Sequence, residues 1–134
     1  MSADVNVKVV DGIYDAFRQG DVDAILEVVT DDVDWQTEAA GQGAPWWGPH
    51  DGKDGVRDFF VGVGSTMVID EFTVLAMAAS DTDVLTVVKF VAHVATTGRS
   101  ISMELHHRFT FRDGKVCRYR GTEDTQQTAA ALAG

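Results

Sequence analysis

The first half of the sequence places its apolar residues three and four positions apart, which is the period of one face of an α-helix. This spacing predicts a first helix that ends at Gly20 and a second helix that Asp21 caps. A third helix is expected to open at Asp54. The apolar stripe of the first helix consists of Val9, Val10, Ile13, Tyr14 and Phe17.

After Gly64 apolar residues alternate with polar ones, which is the period of a β-strand. A short strand at residues 33–37 precedes this region and is followed by a loop at 38–52, which is rich in Gly and Pro. Short turns that contain Asp and Gly separate the later strands. The four long strands are predicted over residues 72–79, 84–96, 100–112 and 115–123.

Strands that follow one another through tight turns form an antiparallel meander, and the helices grouped before them must pack on one of its faces. The predicted class is therefore α+β: a cone-shaped, curved antiparallel sheet that three N-terminal helices cover on one face. Such a cone encloses a pocket for a small molecule. A single domain is expected over residues 1–134, with residues 125–134 forming a short helix or fraying.

The composition disfavours some classes of binding partner. The formal net charge of −10 disfavours nucleic acid, which requires clustered Lys and Arg, and it disfavours an anionic membrane surface. The single cysteine, Cys117, cannot form an intrachain disulfide, and the sequence has neither a signal-peptide pattern nor an apolar run of membrane-spanning length. We therefore expect a cytoplasmic protein that binds a small apolar molecule.

The predicted strand at 100–112 places two adjacent histidines on opposite faces. His107 shares a strand face with apolar residues, whereas His106 shares the opposite face with charged and hydroxyl residues. An imidazole on an apolar face can donate to a developing enolate oxygen or transfer a proton near neutral pH. The alternative is a core histidine that bonds a nearby backbone or hydroxyl group. His107 is the first candidate for a catalytic residue.

No motif indicates a metal or nucleotide cofactor, and we expect none. Because His106 and His107 point to opposite sides of a strand, they cannot bind one ion together. The stretch GKDG at 52–55 opens a helix but lacks the spacing of a phosphate-binding P-loop.

Large apolar side chains on the predicted pocket wall are candidates for ligand contacts. Trp35 lies on the short strand that borders the pocket, and Trp47 lies in the loop that covers its mouth, although either ring could instead close the core. The expected ligand-binding residues are Trp35, Trp47, Phe60, Met103, Leu105, Phe109 and Tyr119.

Two stretches carry a family resemblance, YDAFRQGDVDAILEVVTDDVDW near the start and GRSISMELHHRFTFRDGKVCRYRGTEDT near the end. In this order of elements the chain resembles the nuclear-transport-factor-2-like superfamily, and within it the SnoaL-like proteins, which are relatives of polyketide cyclases and ketosteroid isomerases. The resemblance extends from Val5 to Ala131. It implies the cone fold, which hosts enzymes, transport adaptors and binding modules alike.

The resemblance implies roles for individual residues. In SnoaL-like cyclases an aspartate ten residues after the hairpin glycine is the general base, and counting from Gly114 gives Asp124. Asp124 is equally suited to cap a helix at 125–132, and its neighbour Glu123 is expected in solvent unless a β-bulge reverses the strand parity. In ketosteroid isomerases an acid on the penultimate strand helps to form the oxyanion hole, and here His107 takes its place. Tyr14 matches the tyrosine of their first helix, although plain packing would explain it as well.

Two other mechanisms of the fold find less support. The base aspartate of ketosteroid isomerases falls at Thr37, with Glu38 one residue away. Limonene epoxide hydrolases position water with a Tyr-x-Asn pair, for which this chain has Trp35 and Thr37.

The favoured hypothesis is a cofactor-free isomerase or cyclase that acts on an apolar carbonyl compound. Asp124 would take a proton next to the carbonyl, and His107 with Tyr14 would stabilise the enolate oxygen. A non-catalytic ligand-binding module and a dimeric interaction module of the same fold are the alternatives. Apolar residues on both faces of the strand at 84–95 predict a homodimer through the sheet, as the resemblance also implies.

Overall fold

The computed structural model describes residues 2–41 and 43–134, so Met1 of the predicted domain and Gln42 of the predicted loop lie outside the described residues. The α+β class is confirmed, with N-terminal helices packed against a curved, unclosed sheet. In chain order the elements are α1 (Ala3–Gln19), α2 (Val22–Glu27), β1 (Val29–Thr37), β2 (Gly48–Pro49), α3 (Gly52–Thr66), β3 (Met67–Ala79), β4 (Asp83–Val94), β5 (Ser100–Arg112), β6 (Lys115–Thr122) and α4 (Thr125–Ala133).

The sheet has the strand order β2-β1-β6-β5-β4-β3. Strands β3 to β6 form the predicted antiparallel meander, but β1 runs parallel to β6, with Trp35 aligned on Tyr119. A parallel pair is available here because β1 precedes the meander and joins its free edge without a tight turn. The predicted loop contains β2, which pairs antiparallel with the end of β1.

Irregular register gives the sheet its curvature. The pairing of β3 with β4 shifts between Ile69 and Glu71 and again between Val74 and Ala76. Bulges of this kind bend a strand and increase its twist. Together they wrap β3 around the end of the helical layer, which leaves a cavity between the sheet and the helices.

The boundary between α2 and β1 lies earlier than the sequence suggested. The helix ends at Glu27, and the strand starts at Val29 rather than at residue 33. The β-branched Val28 and Val29 favour extended structure. They also meet β6 directly, because the Val116 amide donates to the Val28 carbonyl at 2.9 Å.

Helix α3 begins at Gly52, two residues before the predicted Asp54. The preceding Asp51 makes no capping hydrogen bond to α3. Its carboxylate instead accepts from the Trp35 amide at 3.2 Å, which fixes the start of α3 against β1.

The C-terminal residues form a helix, so the short helix, and not the frayed tail, is the correct alternative for this part of the chain. Gln127 exchanges two hydrogen bonds with the backbone of Ser102, at 2.6 and 3.1 Å, and Thr97 bonds the Ala131 carbonyl at 2.9 Å. Helix α4 is thereby attached to β5. No helix within residues 2–41 and 43–134 combines the length and apolar character needed to cross a bilayer.

Candidate active site

An apolar cavity lies between α1, α3 and the inner face of the sheet. The space open to the centres of water molecules in this cavity is about 80 Å³, which is enough for several waters or a small organic molecule. Most of the wall is aromatic or aliphatic, and the polar groups are few: the side chains of Tyr14, Thr37, His107, Tyr119, Thr122 and Glu123.

The Tyr14 hydroxyl joins two strands of the wall. It lies 2.7 Å from His107 Nδ1 and 2.6 Å from the hydroxyl of the buried Thr86, and Thr86 is the β4 partner of His107 in β5. Tyr14 reaches them from α1 because it belongs to the apolar stripe of that helix. The three groups form a continuous hydrogen-bond chain at the cavity wall.

Burial keeps this chain uncharged at neutral pH. Removal from water lowers the pKa of His107 from 6.5 to about 3, and the neighbouring His106 adds to the effect. Burial also raises the pKa of the Tyr14 hydroxyl, so that it stays protonated. Two proton arrangements satisfy the bonds: Tyr14 donates to His107 Nδ1 and accepts from Thr86, or it donates to Thr86 and accepts from Nδ1.

Tyr119 lies beside His107, with ring centroids 5.4 Å apart. Trp35 stacks on its other side at 4.1 Å with an interplanar angle of 21°. Burial raises the pKa of the Tyr119 hydroxyl well above 10, so it too is protonated at neutral pH. The indole nitrogen of Trp35 is buried and has no hydrogen-bond partner among the described residues.

The carboxylate in the wall belongs to Glu123 rather than Asp124. Glu123 accepts from the Trp46 indole nitrogen at 2.8 Å and from the Thr128 hydroxyl at 2.6 Å. Asp124 is exposed and caps α4, accepting from the Gln127 amide at 3.1 Å. Of the two alternatives for Asp124, the structure has the helix cap and not the pocket carboxylate, and Glu123 lies in the cavity wall rather than in solvent.

A β-bulge explains this exchange. Phe111 pairs with Val116 but Thr110 pairs with Arg118, so Cys117 is an extra residue in β6. The bulge shifts the alternation by one, and Tyr119 and Gly121 then face the cavity. The signal was in the sequence: Val116 and Tyr119 are both large and apolar, yet a regular strand cannot turn both inward.

Comparison with known proteins identifies the family. The sequence profile of the SnoaL-like domain matches residues 10–119. The chain belongs to the SnoaL-like family. No match to this sequence is found among curated proteins.

Solved structures similar to this SnoaL-like chain share its fold along nearly the whole length. An NTF2-like protein from Burkholderia xenovorans LB400 is 25% identical, with a TM-score of 0.88 and 98% of each chain covered. A protein from Jannaschia sp. CCS1, described as a SnoaL-like polyketide cyclase, is 16% identical, with a TM-score of 0.83 and coverage of 98% of this chain and 94% of that one. TerC, co-crystallised with polyporic acid, is 21% identical, with a TM-score of 0.81 and coverage of 97% and 99%.

The structure brings most of the predicted contact residues of this SnoaL-like protein together. In addition to Tyr14 and His107, the cavity wall includes Trp35, Phe60, Met103, Leu105, Phe109 and Tyr119. The tryptophan that the loop contributes is Trp46, whereas the half-buried ring of Trp47 packs directly over Gly43. Trp46, like Glu123, was not among the residues predicted to form the site, and no pattern in the loop distinguishes it from its neighbour Trp47.

The position that holds the base of ketosteroid isomerases has no carboxylate in this SnoaL-like protein. Thr37 is buried and lines the cavity, while Glu38 is exposed and pairs with Arg120 at 3.3 Å. Within residues 2–41 and 43–134 no group of three or more His, Cys, Asp and Glu side chains is arranged to hold a metal ion.

Proposed function

We propose that this SnoaL-like protein is a cofactor-free acid/base enzyme of the isomerase or cyclase type, which acts on a small, largely apolar carbonyl compound. One observation carries the proposal: the Glu123 carboxylate and the uncharged Tyr14–His107 pair line the same apolar cavity. A proton acceptor and a hydrogen-bond donor on one enclosed surface are the two groups that enolisation requires.

In this mechanism Glu123 takes a proton from the carbon next to the carbonyl, and the electron pair of that C–H bond moves to the oxygen. His107 donates a hydrogen bond to the resulting enolate oxygen, while Tyr14 holds the imidazole in place through Nδ1. If a carbon–carbon double bond is conjugated with the enolate, Glu123 returns the proton to the far carbon of the dienolate and the double bond shifts, which gives an isomer. If the enolate carbon instead attacks a second carbonyl of the same molecule, a ring closes, and the alkoxide that forms takes the proton back from Glu123.

The charge of the cavity favours a neutral ligand. Glu123 supplies negative charge, and no Lys or Arg is present among the described residues that line the wall. An anionic ligand would therefore lose its water of solvation without gaining a cationic partner. The fold of proteins described as polyketide cyclases agrees with the proposed reaction class but does not define it.

A deuterium-exchange assay tests the reaction class before the natural substrate is known. Ketones of one or two rings, such as 1-indanone, are incubated with the protein in D₂O, and loss of the α-hydrogen signal is followed by NMR. We expect the wild type to accelerate exchange and Glu123→Gln to lose at least about 100-fold of that rate, because removal of a general base typically costs 10²- to 10⁴-fold. Equal rates in the two proteins would exclude Glu123 as the base.

A non-catalytic ligand-binding module is the second candidate, and the hydrogen bonds of Glu123 favour it. Both carboxylate oxygens already accept a bond, from Trp46 and Thr128, so the group also serves to hold the loop against α4. A binder would retain a tightly bound ketone with all its α-hydrogens after long incubation.

We also propose that two copies associate through the outer face of the sheet. Three large apolar side chains on this face are about half exposed, namely Val68, Leu75 and Leu85. Burial of these residues against a second copy would remove them from water. Analytical ultracentrifugation at micromolar concentration should show a dimer that Leu85→Arg weakens, and a monomeric wild type would exclude this arrangement.

A further inference from the structure

The Tyr119 hydroxyl is a hydrogen-bonding group for which the described residues provide no partner. Tyr119 is only 4% exposed and lines the cavity. Because the ring lines the cavity, a ligand that enters there can accept a hydrogen bond from this hydroxyl.

Residue 121 is a glycine, and the absence of a side chain there makes room for the Tyr119 hydroxyl. A Cβ atom on residue 121 would overlap the Tyr119 oxygen and would lie 3.3 Å from His107 Cδ2. The hydroxyl and the Cδ2–Nε2 edge of the imidazole are therefore on the same side of the wall, next to the one residue that has no side chain. The ring of Tyr119 is held there by its stack on Trp35.

The hydrogen bonds of Tyr14 leave the Nε2 atom of His107 available. When the Thr86 hydroxyl donates to Tyr14 and Tyr14 donates to Nδ1, the single hydrogen of the neutral imidazole is on Nε2. That hydrogen then lies on the edge of the ring that borders Gly121 and the Tyr119 hydroxyl.

We infer that the Tyr119 O–H and the His107 Nε2–H form a two-donor site for one oxygen atom, and that the ligand is a neutral carbonyl compound whose oxygen accepts both bonds. The stabilisation of an enolate by His107 rests on the proposed function. The donor pair itself does not, because a binding module would use the same two donors to select carbonyl compounds over hydrocarbons of equal size.

The first test needs no ligand. The ¹⁵N shifts of the His107 ring, assigned by comparison with His107→Gln, distinguish hydrogen on Nε2 from hydrogen on Nδ1 at pH 7. We expect hydrogen on Nε2. Hydrogen on Nδ1 would overturn the inference, because Nε2 would then be an acceptor and would repel a carbonyl oxygen.

The second test compares 1-indanone with indane, which has the same rings and lacks the oxygen. Calorimetry should show that the wild type prefers the ketone and that Tyr119→Phe loses about 3- to 10-fold of this preference, as expected for one neutral hydrogen bond. Binding of indane should be unchanged, because Phe keeps the ring. No binding of 1-indanone, no preference in the wild type, or an unchanged preference in Tyr119→Phe would each overturn the inference. Loss of both probes in the variant would do so as well, since Tyr119 would then serve packing alone.

The outcome is separable from that of the proposed reaction. If Glu123→Gln keeps the ketone preference while the wild type shows no α-exchange, the donor pair stands and the enzyme hypothesis fails. If exchange depends on Glu123 but Tyr119→Phe changes nothing, the reaction stands and the donor pair fails.

Discussion

The two faces of the sheet place the same residue types in opposite electrostatic settings. On the outer face carboxylates meet arginines in water, as in the Asp32–Arg112 pair at 2.6 Å, and the guanidinium lowers the pKa of Asp32. On the inner face the Glu123 carboxylate accepts, among the described residues, only from the neutral side chains of Trp46 and Thr128. Paired surface charges contribute little stability and no chemistry, whereas a few uncharged donors and one carboxylate in an apolar space are suited to enolisation.

The adjacent histidines show the contrast within one strand. His106 is exposed on the outer face, while His107 is half-buried in the cavity wall and bonds Tyr14. Neighbours in the sequence therefore lie in different surroundings, because strand side chains alternate between the two faces.

The largest expected effect is on the free energy of unfolding, which a substitution in the core should lower far more than one on the surface. Phe109 is 1% exposed and touches the rings of Tyr14, Trp35 and Tyr119, so Phe109→Ala should lower the free energy of unfolding by about 3–5 kcal/mol. Val61 is 58% exposed, and Val61→Ala should change the free energy of unfolding by about 0.5 kcal/mol or less. Urea denaturation measures both, and similar losses would contradict the placement of the core.

Substitutions of His107 and His106 should affect the α-exchange rate very differently, because the two residues lie on opposite faces of the sheet. His107→Gln removes the proposed donor to the enolate oxygen and should slow α-exchange by about 100-fold or more. His106→Gln alters the outer face and should leave the rate within about twofold, because a surface substitution affects the site little. A comparable loss in both variants would show that His107 has no special role.

The pH dependence of stability gives a smaller but specific difference. The folded protein protonates His107 only near pH 3, whereas the unfolded chain does so near its ordinary value of 6.5. The stability that neutral His107 provides is therefore complete above pH 6.5 and is lost as the pH falls toward 3, at no more than about 1.4 kcal/mol per pH unit. Urea titrations of the wild type and His107→Gln between pH 4.5 and 7.5 should diverge accordingly, and a constant difference between them would mean that His107 titrates normally.

The smallest effect concerns the surface role of Asp124. Loss of its capping bond to Gln127 in Asp124→Ala should cost about 1 kcal/mol of stability. Asp124→Asn, which can still cap, should cost much less. If Asp124→Ala instead left stability intact, the cap assigned to α4 would be unimportant.

The sequence predicted the helices, the meander and the inward position of His107 because each of these follows from a local period. It did not place the carboxylate, because the bulge at Cys117 shifts the parity of β6, and the only local sign of it is that Val116 and Tyr119 are both large and apolar. It also missed β2 and the choice of Trp46 over Trp47, since pairing with β1 and the bond to Glu123 are long-range contacts that leave no period in the loop.

The most direct test of the account is the α-exchange rate of Glu123→Gln measured beside that of Asp124→Asn. The substitutions are chemically matched, the residues are neighbours, and only one of the two carboxylates lies in the cavity. We expect Glu123→Gln to lose at least about 100-fold and Asp124→Asn to remain within about twofold of the wild type. Loss of exchange in Asp124→Asn alone would contradict the account and return the role of the base to Asp124.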